Sequence, residues 1–372
     1  MPTWERWSRE PASLGWQARS MFGGLMLGFA ALASCQAWAQ AASPQDEAKL
    51  YELAKQEKEL VWYSTNGLDE SNGIGADFQA KYPGVQVRVV RIVGSQQYQR
   101  FLSETNAKQY IADILNVSDK PLFTSLKDEG HIAEWKIPTY DRLPPQYRIG
   151  NHIYAFQTTI LALMYNKNKV TDEEAKLLES SWKAILDPRF KGRFTVITQK
   201  CGMCYAAIHL FRDPKMSDQY PADMLTQIAA QKPVVFNDMF AAIDRVIAGE
   251  KDFTFWSWEA VSSTKLAQGA PIRWLYPKPT PAFPNNWFAI SQYAPHPNAS
   301  RLFLNWLGSE DGSRSLQIRF GAAPSLSGVP DVRAFRNESW YHPPAQLYEV
   351  DFERWEKNYA NDMDSWIKAI TN

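Results

Sequence analysis

The chain carries no net charge, with 40 Lys and Arg against 40 Asp and Glu in 372 residues. It therefore lacks the basic field that holds nucleic acid by neutralising phosphates, and it lacks polybasic attraction to a membrane surface. Cysteine is scarce at three and histidine at five, too few and too scattered for a zinc-ligand framework. Glycine at 19 and proline at 23 exclude a collagenous or low-complexity chain. No G-x-S-x-G elbow, HExxH or paired CxxC occurs, which argues against the common hydrolase and zinc-enzyme classes. Beyond the N-terminal region, no run approaches the roughly 18 apolar residues of a membrane span.

What is abundant is apolar and aromatic surface. The hydrophobic share is 45%, and 15 tryptophans supply wide flat faces for cores or for ligands.

The first 39 residues read as an export signal. Arg6, Arg9 and Arg19 precede the apolar run from Met21 to Ala33, and Ala37-Trp38-Ala39 has the small-residue spacing of a cleavage site. Leu32-Ala33-Ser34-Cys35 also has the form of a lipoprotein processing site, so soluble export and a lipid anchor on Cys35 both stay open. Either way the mature chain is expected on the outer side of the membrane, in the periplasm. It is long enough for two domains.

Export suits the remaining cysteines. Cys201 and Cys204 form a C-G-M-C turn, read first as a short-loop disulfide in an oxidising compartment. Metal binding, redox chemistry and free thiols are its alternatives.

Strand and helix signals alternate along the mature chain. Ser43-Pro44-Gln45-Asp46 reads as a helix start, with Ser43 as the cap. Leu60-Val61-Trp62-Tyr63 and the alternating Val85-Gln86-Val87-Arg88-Val89 read as strands, as does Ala112–Val117. Helices are expected between them, which makes parallel βαβ units. Ligands in such sheets bind beyond the carboxyl ends of the strands, which singles out Thr65, Asn66, Ser118 and Asp119. Further strands are expected at Ile153–Tyr165, Phe194–Ile197 and Phe253–Trp258. The proline-rich stretch 277–297 reads as an extended crossing, and helices at Asn298–Gly308 and Tyr348–Ile370 close the chain.

Several segments, taken in order, resemble the bacterial extracellular solute-binding proteins of ABC importers, in the branch that contains ferric-iron, thiamine and polyamine binders. They include Leu60-Val61-Trp62-Tyr63-Ser64, Phe78–Gly84, Ala112-Asp113-Ile114-Leu115, Met164-Tyr165-Asn166-Lys167, Leu186–Arg193, Gly269-Ala270-Pro271 and Phe303-Leu304-Asn305-Trp306-Leu307. The resemblance spans residues 47 to 370. It implies an α/β fold of the two-lobed periplasmic-binding-protein type II, with mixed sheets flanked by helices and a hinge of crossing strands. The expected lobes are 45–155 plus 280–372, and 156–279. It further implies a monomer without catalytic residues or cofactor, which captures a small-molecule solute between the lobes and delivers it to a membrane permease.

One departure from the family bears on the solute. Where ferric binders place adjacent tyrosines, this chain has Phe255-Trp256-Ser257-Trp258-Glu259. Tryptophan offers iron no phenolate, so an organic solute with a ring or a cationic group is expected in place of a metal ion. Tyr63, Tyr165, Trp256, Trp258 and Trp287 are the candidate aromatic walls, with Trp256 and Trp258 sharing one strand face. Lys200, Asn237, Asp238 and Glu259 complete the polar candidates. The rival readings are a ferric binder of the same family, a secreted CxxC enzyme, and a sensor domain feeding a receptor.

Overall fold

The computed structural model describes residues 46–371 apart from 93–94, 119 and 201. The expected export signal with Cys35, the expected cap Ser43, and Asp119 and Cys201 therefore lie outside the described residues.

The first segment is α1 (Glu47–Glu57), β1 (Glu59–Ser64), α2 (Leu68–Lys81), β2 (Gln86–Arg91), α3 (Ser95–Asn106), β3 (Ile114–Val117) and α4 (Lys120–Asp128). Asp46 caps α1 by accepting from the Lys49 amide at 3.1 Å, a role expected of Ser43. β1 is buried from Leu60 to Ser64, as a strand covered on both faces must be. It pairs in parallel with β2 and β3.

Two strands then carry the chain across the molecule. After β4 (Arg148–Ile149) comes β5 (Ile153–Asn166), 14 residues long. The middle segment follows: α5 (Asp172–Ser180), β6 (Phe194–Ile197), α6 (Gly202–Phe211), α7 (Met224–Ala230), β7 (Val234–Phe236), α8 (Met239–Ile247), β8 (Phe253–Trp258), α9 (Glu259–Ala267) and β9 (Ile272–Leu275). The return is β10 (Thr280–Ile290), which realises the extended crossing expected of the proline-rich stretch. The chain ends with α10 (Pro297–Leu307), α11 (Glu310–Phe320), β11 (Ala323–Pro324), β12 (Leu347–Glu349) and α12 (Phe352–Thr371). α11 had no counterpart in the sequence reading.

The strand order β2-β1-β3-β10-β5-β8-β6-β7 shows how the crossing works. The first half of β5 pairs antiparallel with β10, and its second half pairs with β8 and β9. The hydrophobic core changes along both crossing strands. Ile153–Phe156 and Trp287–Ile290 belong to one core with β1 and β3, whereas Ile160–Tyr165 and Phe283 belong to another with β6 and β8. The polar stretch Gln157-Thr158-Thr159 lies at the changeover.

The C-terminal residues divide between the two cores. Ala299–Leu307 and Leu316 pack in the first, but Phe335, Tyr341, Tyr348, Met363 and Trp366 pack in the second. The expected grouping of 280–372 as one unit does not describe this packing. α12 lies against α6 and α7, with Trp366 Nε1 donating to the Ile197 carbonyl at 2.8 Å. Among the described residues no helix is long and apolar enough to cross a membrane.

Candidate functional site

The carboxyl ends of β1 and β3 meet β10 in a net of amide side chains. Asn66 Nδ2 donates to Asn116 Oδ1 and to Asn286 Oδ1, both at 3.2 Å, and Asn286 Nδ2 returns a bond to Asn66 Oδ1 at 3.1 Å. Asn116 Nδ2 also donates to Asn286 Oδ1, and Asn116 Oδ1 accepts from the Thr65 amide at 3.2 Å. Asn286 holds a left-handed backbone with φ 60°, a conformation asparagine tolerates better than most residues. It sits between the Asn285–Gln157 and Trp287–Ala155 pairs of β10 and β5. The net thus fixes the strand ends of the first core to the crossing strand.

Beside this net lies a cavity of about 150 Å³. It is lined by Asn66 and Asn285, by residues 157–160 of the crossing strand, and by Trp258, Glu259 and Ala260 at the start of α9. Phe320, Ala322 and Ala323 complete the lining. A single water needs only ~15 Å³, so the space suits a group larger than a water. Two lining side chains carry buried donors without a partner, Gln157 Nε2 and Trp258 Nε1, and the neighbouring Thr65 Oγ1 is also unpartnered. Buried polar groups are almost always bonded, so their concentration here marks the place where a ligand would bond.

Glu259 is differently placed. Its carboxylate accepts from Arg333 Nη1, from the Tyr276 hydroxyl and from the Tyr341 hydroxyl at 3.3 Å. Burial works to lower the Arg333 pKa, but Asp331 and Glu259 outweigh it and hold the guanidinium above its usual range. Burial, with Glu259 alongside, raises the Tyr276 hydroxyl well above its usual value. Glu259 borders the cavity with its charge already matched.

Of the expected site residues, the structure brings Asn66, Trp258 and Glu259 to the cavity and Thr65 next to it. The others are placed elsewhere. Tyr165 is at the far end of β5, buried in the second core and paired with Phe253 and Arg273. Trp256 is 1% exposed and packs on Trp366 with ring centroids 5.2 Å apart. The β5–β8 register shifts between Ala162 and Met164, an irregularity of the kind that disturbs alternation along a strand. Trp287 is buried in the first core, with Lys120 Nζ 5.8 Å above its ring. Lys200 is exposed and paired with Asp364 at 2.7 Å. Asp238 caps α8 by accepting from the Ala241 amide, and Asn237 and Ser118 are exposed. Cys204 is buried near the start of α6, while Asp119 and Cys201 fall outside the described residues.

The residues that the sequence reading missed had visible signals. Gln157 opens a polar triplet inside the apolar run from Ile153 to Tyr165, and Asn285-Asn286 interrupts the crossing stretch. Arg333 had none, since nothing in its neighbourhood marks it as the partner of Glu259.

The profile of the family described as "Bacterial extracellular solute-binding protein" matches residues 41–313. The chain belongs to that family. Over 319 residues this solute-binding protein is 23% identical to the probable ABC transporter periplasmic-binding protein y4fP of Sinorhizobium fredii, covering 84% of this chain and 85% of the relative. Its fold is similar to that of iron-bound HitA from Pseudomonas aeruginosa, with a TM-score of 0.64 at 18% identity over 84% of this chain and 99% of the other. It is also similar to AfuA from Actinobacillus pleuropneumoniae, a periplasmic binding protein with exogenous fructose-6-phosphate bound. There the TM-score is 0.58 at 17% identity, over 84% of this chain and 98% of that one. The fold is the two-lobed α/β type II of periplasmic binding proteins, with two crossing strands between the lobes.

Proposed function

We propose that this solute-binding protein is the substrate-binding component of an ABC importer, and that it takes a small organic solute in the cavity beside the crossing strands. The observation that supports this reading most is the composition of that cavity. Its walls come from the first core, from the crossing strand and from the start of α9 in the second, and they carry unpartnered polar atoms. Contacts to both sides exist in full only when the lobes are closed, so a bound solute shifts the open–closed equilibrium toward closure. The lobes we propose are 46–156 plus 287–326, and 160–283 plus 335–371, with turning points at 157–159 and 284–286. An exported monomer that hands its solute to a membrane permease completes the reading, with Cys201 and Cys204 joined as a disulfide.

Iron is the second candidate, since HitA was crystallised with it. The strand that ends at Trp258 offers no phenolate, and among the described residues no three His, Cys, Asp or Glu side chains are grouped to hold a metal. An organic solute suits these walls better.

Scanning fluorimetry against ferric salts, polyamines, thiamine-like cations, organic acids and sugar phosphates tests the choice, and small-angle scattering follows with any responder. An organic responder that makes the particle more compact and is recovered unchanged supports the reading. A rise in Tm with ferric iron alone defeats it, as does chemical conversion of the responder.

A further inference from the structure

We infer that the solute presents an oxyanion group, a carboxylate or a phosphoryl, to the start of α9, where Gln157 Nε2 and Trp258 Nε1 donate to it. This deepens the solute-binding reading and rests on it. Three observations converge on one polarity. Both unpartnered side-chain atoms in the cavity lining are donors that cannot accept. Neither has a hydrogen-bond partner within the protein, so an acceptor on the ligand would supply the bond that each lacks. Gln157 is 8% exposed.

The second observation is α9 itself. It is 9 residues long, begins at the cavity, and has no side-chain cap on its first turn. Its free amides and the positive end of its dipole favour an anion. Glu259 in that turn does not supply the anion to the cavity, because Arg333, Tyr276 and Tyr341 take up its carboxylate.

The third is the absence of any unmatched acid in the lining. Glu259 is its single acidic side chain among the described residues, and its charge is paired. Among the described lining residues, a cation over the Trp258 ring would meet no free carboxylate. A guanidinium is close by instead: Arg91 Nε donates to the Asn66 carbonyl at 3.1 Å. The donors select an acceptor-rich group, and the neighbouring charges select an anionic one.

Calorimetry and scanning fluorimetry on the purified mature protein would use inorganic phosphate, citrate and a hexose phosphate as probes, with spermidine and thiamine as the cationic arm. Binding of citrate alone assigns a carboxylate, and binding of the phosphorylated probes assigns a phosphoryl. Gln157→Glu keeps the side-chain size but turns the donor end into an anionic acceptor, and should weaken the responding oxyanion by about tenfold or more. Trp258→Phe keeps the ring and removes the N–H, with a similar loss expected. Unliganded Tm values show whether either variant is folded, and each serves if the other is not. Binding of cations only, no response to any oxyanion, or unchanged oxyanion affinity in both folded variants overturns the inference. A cation that binds and compacts the particle in scattering would overturn the inference yet keep the solute-binding reading. Conversion of a bound probe would overturn that reading itself.

Discussion

Arg333 Nη1 donates to the carboxylate of Glu259 where the two side chains are 3% and 2% exposed. Asp331 accepts from the same guanidinium at 2.7 Å, so one buried arginine ties the segment after β11 to the start of α9. Pairs of this kind contribute modest net stability while intact and cost a great deal when half is removed, because a buried charge is left without its partner. Arg333→Met should therefore lose about 3–5 kcal/mol in urea unfolding. The double variant with Glu259→Gln should recover part of that loss, since it removes the stranded carboxylate. A loss in the double variant equal to the sum of the Arg333→Met and Glu259→Gln losses would mean that the pair is not coupled.

The turn from α10 to α11 depends on a close approach that only glycine permits. A Cβ on Gly312 would fall 2.0 Å from the Trp306 carbonyl oxygen and 2.6 Å from Leu307 Cα, and both are backbone atoms that cannot swing aside. Ser309 caps the same helix by accepting from the Gly312 amide at 3.2 Å. Gly312→Ala should cost about 1–3 kcal/mol, as overpacking does, and more than Ser309→Ala, which removes a cap worth about 1 kcal/mol. Thermal melts of the two variants rank them directly.

His209 supplies a pH dependence. It is fully buried, both ring nitrogens lack a partner, and its ring packs against Tyr205 and Trp355. Burial first, and then the Arg354 charge, push its pKa from 6.5 down to about 3, against the opposing pull of Asp213 and Asp351. The unfolded chain takes up a proton near pH 6.5 that the folded chain refuses until about pH 3. Through this group, stability is therefore level above 6.5 and declines as pH falls between those values, by at most ~1.4 kcal/mol per pH unit. Tm measured from pH 7.5 to 4 should fall more steeply for the native chain than for His209→Leu. Parallel curves would assign the acid sensitivity to other groups.

The legibility of the sequence was uneven, for physical reasons. β1, β2, β3 and β5 could be read because each is long or alternating enough for burial to leave a pattern. Asn66 was expected near the cavity because it follows the carboxyl end of a strand, and Trp258 because its position resembles one where relatives place aromatic rings. Trp256 could not be separated from Trp258, since the packing of Trp256 on Trp366 is a tertiary contact. The role of Glu259 depends on Arg333, which lies 74 residues away along the chain, and nothing local announces such a contact. α12 was visible as a helix, but which core its apolar stripe serves is decided by tertiary packing alone.

That last choice has a measurable consequence. Trp366 is fully buried, packs on Trp256, and donates its indole N–H to the Ile197 carbonyl. Tyr205 adds a 2.6 Å bond from α6 to Asp362 on the same helix. Trp366→Ala removes the ring and the bond together and should cost about 3–5 kcal/mol, whereas Trp366→Phe keeps most of the packing and should cost less. The loss should also be local. Hydrogen exchange followed by mass spectrometry should quicken first in β6, α6 and β8, because those elements surround the cavity that the substitution leaves. β1 and β3 belong to the other core and should keep their protection until global unfolding. Faster exchange in β1 and β3 with β6 unchanged would place α12 with the first core and undo the division of the chain proposed above.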